Sequence, residues 1–229
     1  MYVILDTNVI HQDFHLSMSA THELLDNASN RGLTVCVPEV VVREMVKHFR
    51  EQTESILQRL QDVHRGMDRL QLQLGSTLPV IDVDGVVKEF EERFRERLNE
   101  HKVKVLPLPG VNVEQLLERG ISRRRPFKND GRGMFDALIW ESVVELWRQY
   151  PDEQYAVITE DKDYEDTEGE RIHPDLLADL GAEGIAAQNR TTSEADSDLP
   201  RTLGPYFELH KSIQSFNEDW SRRSRNQTG

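Results

Sequence analysis

The stretch Tyr2–Asn8, with the sequence YVILDTN, joins a short apolar run to a polar turn. The run Tyr2–Leu5 is typical of a buried strand, and the residues from Asp6 to Asn8 suit the turn that leaves it. Leu33–Val37 has the same character and follows the turn signal Asn30-Arg31-Gly32. A helix over about 19–29 fits between the two runs. The beginning of the chain therefore predicts a strand, a helix and a second strand.

The same alternation continues further along the chain. Val103–Leu108 and Tyr155–Thr159 are predicted strands, whereas Phe135–Trp147 is a predicted buried helix and residues 119–133 a predicted loop. Strands that alternate with helices indicate an α/β fold, with a mostly parallel sheet covered by helices on both faces.

A long helical hairpin is predicted between the second and third strands, as an insertion over about 47–100. Pro38 suits the first position of its first helix, which is expected to end near Gly75. The second helix carries apolar residues at every fourth position from Val86 to Leu98. The first helix carries one apolar stripe, formed by Met45, Phe49, Ile56, Leu60, Val63, Met67, Leu70 and Leu74. This stripe either packs within its own chain or binds a regulatory protein or a second copy of the chain.

Composition limits the compartment and the partners. The net charge of -13 argues against a protein that coats nucleic acid nonspecifically, since phosphate binding relies on Lys and Arg. Any polyanion site must then be a local basic patch. The single cysteine, Cys36, cannot form an internal disulfide or a cysteine zinc cluster, which fits a reducing compartment. Without a signal peptide or an apolar run of about 20 residues, the chain is expected to be cytoplasmic and not to bind membranes.

Two aspartates directly follow predicted strands. In open α/β sheets, ligands bind outside the carboxyl ends of the strands, where Asp6 and Asp161 are expected to lie. A carboxylate beside a core is costly unless something satisfies it. A hard cation would satisfy both aspartates, and the alternative is that each one caps the helix that follows it.

Two further acids are candidates because of their helical positions. Asp136 lies among apolar residues near the start of the predicted helix Phe135–Trp147, where the helix dipole alone also accounts for an acid. Glu44 lies on the helix that leaves the second strand. Taken by itself Glu44 reads as a solvated helix residue rather than a ligand, and Glu39 is the alternative acid five residues earlier.

Taken together, these acids resemble in order and setting the PIN-domain nucleases, over residues 1 to about 187. The most specific parts are the opening Ile4–Asn8 and the turn Thr159-x-Asp161. The hairpin and the segment Arg123–Lys128 look like those of a larger bacterial PIN-like subgroup. The resemblance implies a three-layer α/β/α sandwich over residues 1–187. Residues 188–229 are then a C-terminal extension whose end, 221–229, is expected to be disordered.

The resemblance also implies the residues of the active site. One or two Mg²⁺ or Mn²⁺ ions would be held by oxygen ligands, which select hard cations. The bound ion would activate a water for attack on a phosphodiester, without a protein nucleophile. The implied catalytic and metal-binding residues are Asp6, Glu44, Asp136 and Asp161. Asn8 and Thr159 would support these ligands or orient water, and Asp163 would be an additional ligand or an exposed turn residue.

A local reversal of charge precedes Asp136. The segment from Arg119 to Arg132 contains six basic residues and one acid, Asp130. Such a patch is expected to grip the phosphates beside the scissile bond. The expected nucleic-acid contacts are Arg124, Arg125, Lys128 and Arg132. The alternative is a basic loop that pairs with the protein's own acidic groups.

The leading hypothesis is a metal-dependent endoribonuclease, similar to the PIN ribonucleases that act as toxins, in RNA decay or in defence against phage. A DNA nuclease with the same site is the second hypothesis, because selectivity for a 2′-hydroxyl depends on the shape of the groove. The third is a catalytically inactive scaffold that binds RNA or a protein through the hairpin.

Overall fold

The structure is a computed structural model that describes residues 1–70, 80–128, 130–166, 172–180, 186–189 and 206–227. Strands and helices alternate along the chain. The strands in these ranges are β1 (Tyr2–Leu5), β2 (Thr34–Pro38), β3 (Lys104–Leu106), β4 (Gln154–Ile158), β5 (Ala186–Asn189) and β6 (Tyr206–His210). The α-helices there are α1 (Thr7–Ile10), α2 (Ser19–Asn27), α3 (Glu39–Arg69), α4 (Val83–Glu100), α5 (Val113–Ile121), α6 (Met134–Gln149), α7 (Pro174–Asp179) and α8 (Ile213–Gln227).

The strands form one sheet in the order β3-β2-β1-β4-β6-β5, and each neighbouring pair is parallel. This confirms the predicted α/β fold with a parallel central sheet. Strands β2 and β3 follow β1 in order on one side of it, and β4 pairs with the other side of β1. The resulting switch point between β1 and β4 leaves a crevice at the carboxyl ends of these two strands, where ligands bind in such sheets.

Helices cover both faces of the sheet. Val3 and Leu5 are buried in a core with residues of α2, α3, α4 and α8. Ile4, whose side chain points the opposite way, is buried in a second core with residues of α6 and α7. A strand buried on both faces has no polar positions, which explains the continuous apolar run that opens the chain. The three-layer α/β/α sandwich is therefore confirmed.

The C-terminal region belongs to the same sheet. β6 pairs with β4 from Tyr206 to His210, although the sequence analysis expects an appended extension after residue 187. The boundary at 187 stays a prediction, but it would separate β6 from the sheet that it helps to form. The expected disorder from Ser221 is wrong as far as Gln227, because α8 continues to that residue and Trp220 packs against the core.

The predicted loop 119–133 is partly helical. Helix α5 includes Arg119 and ends at Ile121. Asn112 caps its first turn, and Leu116 packs against Phe127, so local contacts stabilise this helix. Pro126, Gly131 and Gly133, which suggest a loop in the sequence, lie in the segment between this helix and α6, whereas Gly120 lies within α5.

Helices α3 and α4 form the predicted antiparallel hairpin. The rings of Phe49 and Phe90 stack with centroids 4.1 Å apart, and Arg50 lies 2.8 Å from Asp84 near the start of α4. The rest of α3 extends beyond α4, so four residues of the predicted stripe, Ile56, Leu60, Val63 and Leu70, are exposed. Leu74 and Gly75 lie outside the described residues, and a partner at this stripe stays a prediction. No helix in the described ranges is long and apolar enough to cross a membrane.

Candidate active site

The predicted acids lie around the switch point of the sheet. Asp6 directly follows β1, and its backbone N–H donates to the carbonyl oxygen of Ile158 on β4 at 3.0 Å. Asp161 is the third residue after the end of β4, Glu44 lies on α3 after β2, and Asp136 is in the first turn of α6. The structure brings the four together closely enough that the pKa of Asp136 responds to Asp161 and Glu44, and that of Asp6 to Asp136 and Glu44.

Asp6 is a buried carboxylate held by three donors. Its Oδ1 accepts the Thr7 backbone N–H at 2.6 Å, and its Oδ2 accepts Asn8 Nδ2 at 2.8 Å together with the Thr159 hydroxyl. Burial nevertheless raises the pKa of Asp6 to about 7. Repulsion from Asp136 and Glu44 raises this pKa further, and the hydrogen bonds from Thr159 and Thr7 offset only part of the rise. The negative charge of Asp6 is therefore poorly compensated at neutral pH.

Asp136 is similarly destabilised as an anion. Burial and repulsion from Asp161 raise its pKa to about 6, although Lys128 acts in the opposite direction. The buried hydroxyl of Tyr164 donates to the Asp136 backbone carbonyl at 2.9 Å and so ties the start of α6 to the turn after β4. Tyr164 is a further residue of the site, and its one signal in the sequence is its position three residues after Asp161.

Asn8 and Thr159 brace the ends of β1 and β4. Asn8 Nδ2 donates to the Thr159 hydroxyl at 3.0 Å, and Asn8 Oδ1 accepts the Glu160 backbone N–H at 2.9 Å. The Thr159 hydroxyl in turn accepts the Asp161 backbone N–H at 3.0 Å. Both predicted supporting residues are therefore at the site, where they orient the Asp6 carboxylate and the Asp161 turn.

The structure also distinguishes between the two glutamates of α3. Glu44 Oε2 accepts the Thr7 hydroxyl at 2.5 Å, which places it beside Asp6. Glu39 instead pairs with Arg95 at 2.8 Å, and its hydrogen bonds with Arg95 lower its pKa. Thr7 is a site residue to which the sequence analysis gave no role, although it directly follows Asp6.

The basic loop reaches into the acid cluster. Lys128 Nζ lies 3.0 Å from Asp161 Oδ2 and 3.2 Å from Asp163 Oδ2, and Arg125 also pairs with Asp163. The Asp163 side chain is only 15% exposed, so it is not the exposed turn residue considered above.

The remaining predicted contacts lie away from these acids. Arg124 is 3.5 Å from Asp179, and the exposed Arg132 pairs with Asp130 at 2.5 Å. The basic residues of this loop thus pair with the protein's own acids, as the alternative prediction states. Their binding to nucleic acid stays a prediction.

A second acidic group lies on the far side of β4. Potential ligand atoms of Glu208, His210 and Asp219 lie within 4.8 Å of one another, a spacing that can hold a metal ion. However, Arg223 contacts both carboxylates, at 2.6 Å from Glu208. Burial opposes ionisation of Glu208, but the hydrogen bonds of His210 and Arg223 lower its pKa to about 2. The guanidinium already supplies the cation here, so this cluster joins β6 to α8.

The acid cluster at the switch point has the ligand chemistry for a hard cation, although in the described residues its oxygens do not form a group of three within 4.8 Å of one another, as the ligand atoms of the second group do. Asp6, Glu44 and Asp136 offer carboxylate oxygens, which Mg²⁺ and Mn²⁺ prefer. Within the described parts of the chain, no salt bridge joins these three acids to a basic side chain. Burial, together with repulsion from neighbouring carboxylates, raises the pKa values of Asp6 and Asp136.

An α/β sandwich with acids gathered at the switch point of its parallel sheet is the class of fold and site that the described residues define. A family model described as PIN domain matches residues 3–164, which include all four of these acids. The match covers more than half of the chain, and the chain therefore belongs to the PIN-domain family. Searches of curated proteins and of solved structures found no match. PIN domains are generally nucleases that depend on divalent metals and act on nucleic acids.

Proposed function

We propose that this protein is a metal-dependent endoribonuclease that cuts single-stranded RNA. The observation that carries the proposal is the convergence of Asp6, Glu44, Asp136 and Asp161 at the carboxyl edge of β1 and β4 in a PIN-domain chain. A role as a toxin or as an effector of defence against phage, in the cytoplasm, is part of the proposal through the resemblance to PIN ribonucleases.

In this proposal the acids bind Mg²⁺ or Mn²⁺, and the sheet with its helices fixes the positions of the acids. The bound ion would lower the pKa of a water molecule and neutralise charge on the phosphodiester. Asp6 is fixed by Asn8 and Thr159, and Glu44 is fixed by Thr7, so the ligands do not have to be ordered when an ion binds. Tyr164 keeps the first turn of α6, which carries Asp136, against the same edge.

The surface beside Asp136 supports a single-stranded substrate. The side chain of Phe135, the residue before Asp136, is exposed. An exposed aromatic ring offers a stacking platform for unpaired bases, whereas the bases of a duplex already stack on each other. Arg132, exposed in the preceding turn, would have to exchange its ion pair with Asp130 for a phosphate to contact the substrate.

Cleavage assays on end-labelled single-stranded RNA and DNA of one sequence test the proposal. Wild-type protein is expected to cut RNA in the presence of Mn²⁺ or Mg²⁺ and to lose this activity in EDTA. Asp136→Asn and Glu44→Gln are expected to reduce the rate by at least about 100-fold, since each removes a charged ligand. Glu51→Gln is the control, because Glu51 is an exposed acid two turns further along α3.

Each other outcome selects a different function. Cutting of DNA alone, lost in Asp136→Asn, would indicate the DNA nuclease. If the protein binds RNA but does not cut RNA or DNA and does not bind Mn²⁺, these results would indicate the inactive scaffold. Equal loss of activity in Glu51→Gln and Glu44→Gln would contradict the assignment of the site.

A further inference from the structure

The loop that carries Lys128 is anchored on several sides. Phe127 is buried between α5 and α6, and the Arg125 backbone N–H donates to Asp175 at 2.9 Å. The backbone N–H of Lys128 donates to the Arg132 carbonyl oxygen at 2.7 Å. Gly133 has a φ of +118°, and a Cβ there would lie 2.6 Å from the Pro126 carbonyl oxygen, so only glycine permits this close approach. The fold therefore holds Lys128 at a defined position.

From this position the Lys128 ammonium bridges two carboxylates. Its Nζ contacts Asp161 at 3.0 Å and Asp163 at 3.2 Å, and Arg125 pairs with the other oxygen of Asp163. This half of the cluster contains two acids and two basic groups, so its charges are balanced without a metal ion.

The other half of the cluster has the opposite character. Asp6, Glu44 and Asp136 are three acids whose hydrogen-bond donors, such as Thr7 and Asn8, are neutral. No salt bridge to any of these three acids occurs in the part of the chain that the structure describes. The negative charge without a basic partner is therefore on this side, whereas Lys128 already supplies a cation on the other side.

We propose that Lys128 takes the place of a second divalent ion, so that the active site binds one ion beside Asp6, Glu44 and Asp136. This inference rests on the proposed metal-dependent nuclease. In sites with two metals, the ions lie about 3.5–4 Å apart and share carboxylate ligands. Lys128 already bridges Asp161 and Asp163, where the second ion would have to bind, and like charges disfavour an ion beside the ammonium.

The stoichiometry of Mn²⁺ binding tests this inference without an activity assay. Calorimetric titration of the full chain near pH 8, checked by electron paramagnetic resonance of free Mn²⁺, is expected to give one ion per wild-type chain. Lys128→Gln is expected to bind two ions, because Asp161 and Asp163 lose the bridging cation. Lys128→Arg keeps the positive charge and is expected to bind one.

Lys162→Gln is the matched control. Lys162 is an exposed lysine that lies between Asp161 and Asp163 in the sequence, so its substitution removes the same charge from the same turn. This variant is expected to bind one ion, and circular dichroism establishes that each variant is folded.

The outcomes separate the two proposals. Two ions on wild-type protein, or a single ion on folded Lys128→Gln, would overturn the role of Lys128 and leave the nuclease proposal standing. A second ion in Lys162→Gln as well would show a general effect of charge and would also overturn that role. Absence of Mn²⁺ binding in every variant would refute the metal-dependent nuclease itself.

Discussion

Asp6 and Asp136 are charged groups in surroundings that favour their neutral forms. Burial and neighbouring carboxylates raise their pKa values to about 7 and about 6. A carboxylate whose pKa is raised by folding makes the folded state less stable at a pH above that value. Such a site is retained where binding compensates for the loss of stability, and a divalent ion bound by these residues would do so.

Asp136→Asn is expected to stabilise the metal-free protein at neutral pH. The folded pKa lies above the unfolded value, so the stabilising effect of protonation is complete below about pH 4 and is lost as the pH rises through about 6. Asn removes this penalty. Because Asp136 is partly exposed, we expect a gain of about 1–2 kcal/mol at pH 7.5 in EDTA, which mostly disappears at pH 4.

Urea unfolding of both proteins at the two pH values measures this difference. Added Mn²⁺ is expected to stabilise the wild-type protein and to have less effect on Asp136→Asn. A gain in stability that is the same at pH 4 and pH 7.5 would show that Asp136 acts through packing and not through its charge.

At the scale of the elements, α3 has a buried base and an exposed distal half. The sequence places Met45 and Leu60 on one apolar stripe, but α4 begins opposite Arg50 and covers only the first part of it. Met45 is fully buried, whereas 41% of Leu60 is exposed. The same helical periodicity thus includes residues with different contributions to stability.

Alanine substitutions along α3 are expected to separate these contributions. Met45→Ala creates a cavity beneath the sheet and should lower the free energy of unfolding by about 2–5 kcal/mol. Leu60→Ala should change it by less than about 0.5 kcal/mol, since alanine favours the helix and little burial is lost. Thermal unfolding at several protein concentrations measures both. A large, concentration-dependent loss for Leu60→Ala would instead indicate that a second copy covers the stripe.

At the scale of the whole molecule, the C-terminal segment completes the sheet. β6 lies between β4 and β5, and its residues Phe207 and Leu209 are buried in the core on the α6 face. The Asn217 side chain of α8 donates to the Ala20 carbonyl oxygen on α2 at 2.9 Å. Elements from the two ends of the chain therefore stabilise each other.

Removal of residues 188–229 is expected to prevent stable folding. The truncation leaves the edge of β4 unpaired and exposes apolar surface on both faces of the sheet. The shortened chain should be mostly insoluble, or should lose the cooperative thermal transition of the full chain in circular dichroism. Cooperative unfolding of residues 1–187 at the wild-type temperature would instead support a domain boundary at 187.

The sequence predicted elements where local patterns are strong. Tyr2–Leu5 and Tyr155–Thr159 are continuous apolar runs followed by polar turns, and both correspond to strands of the sheet. β5 and β6 were not predicted. β6 contains Glu208, whose carboxylate hydrogen-bonds with His210 and pairs with the distant Arg223, so its burial depends on a contact that no local pattern shows.

The sequence by itself determined the α/β class, the parallel sheet and the candidate acids, because strand ends and helical periodicity are local properties of the chain. Only the tertiary structure decided which of these groups meet. It paired Glu39 with Arg95, placed Glu44 beside Thr7, and set Lys128 against Asp161. These choices depend on contacts between residues far apart in the chain, whose burial and charge are fixed only when the sheet and its helices pack together.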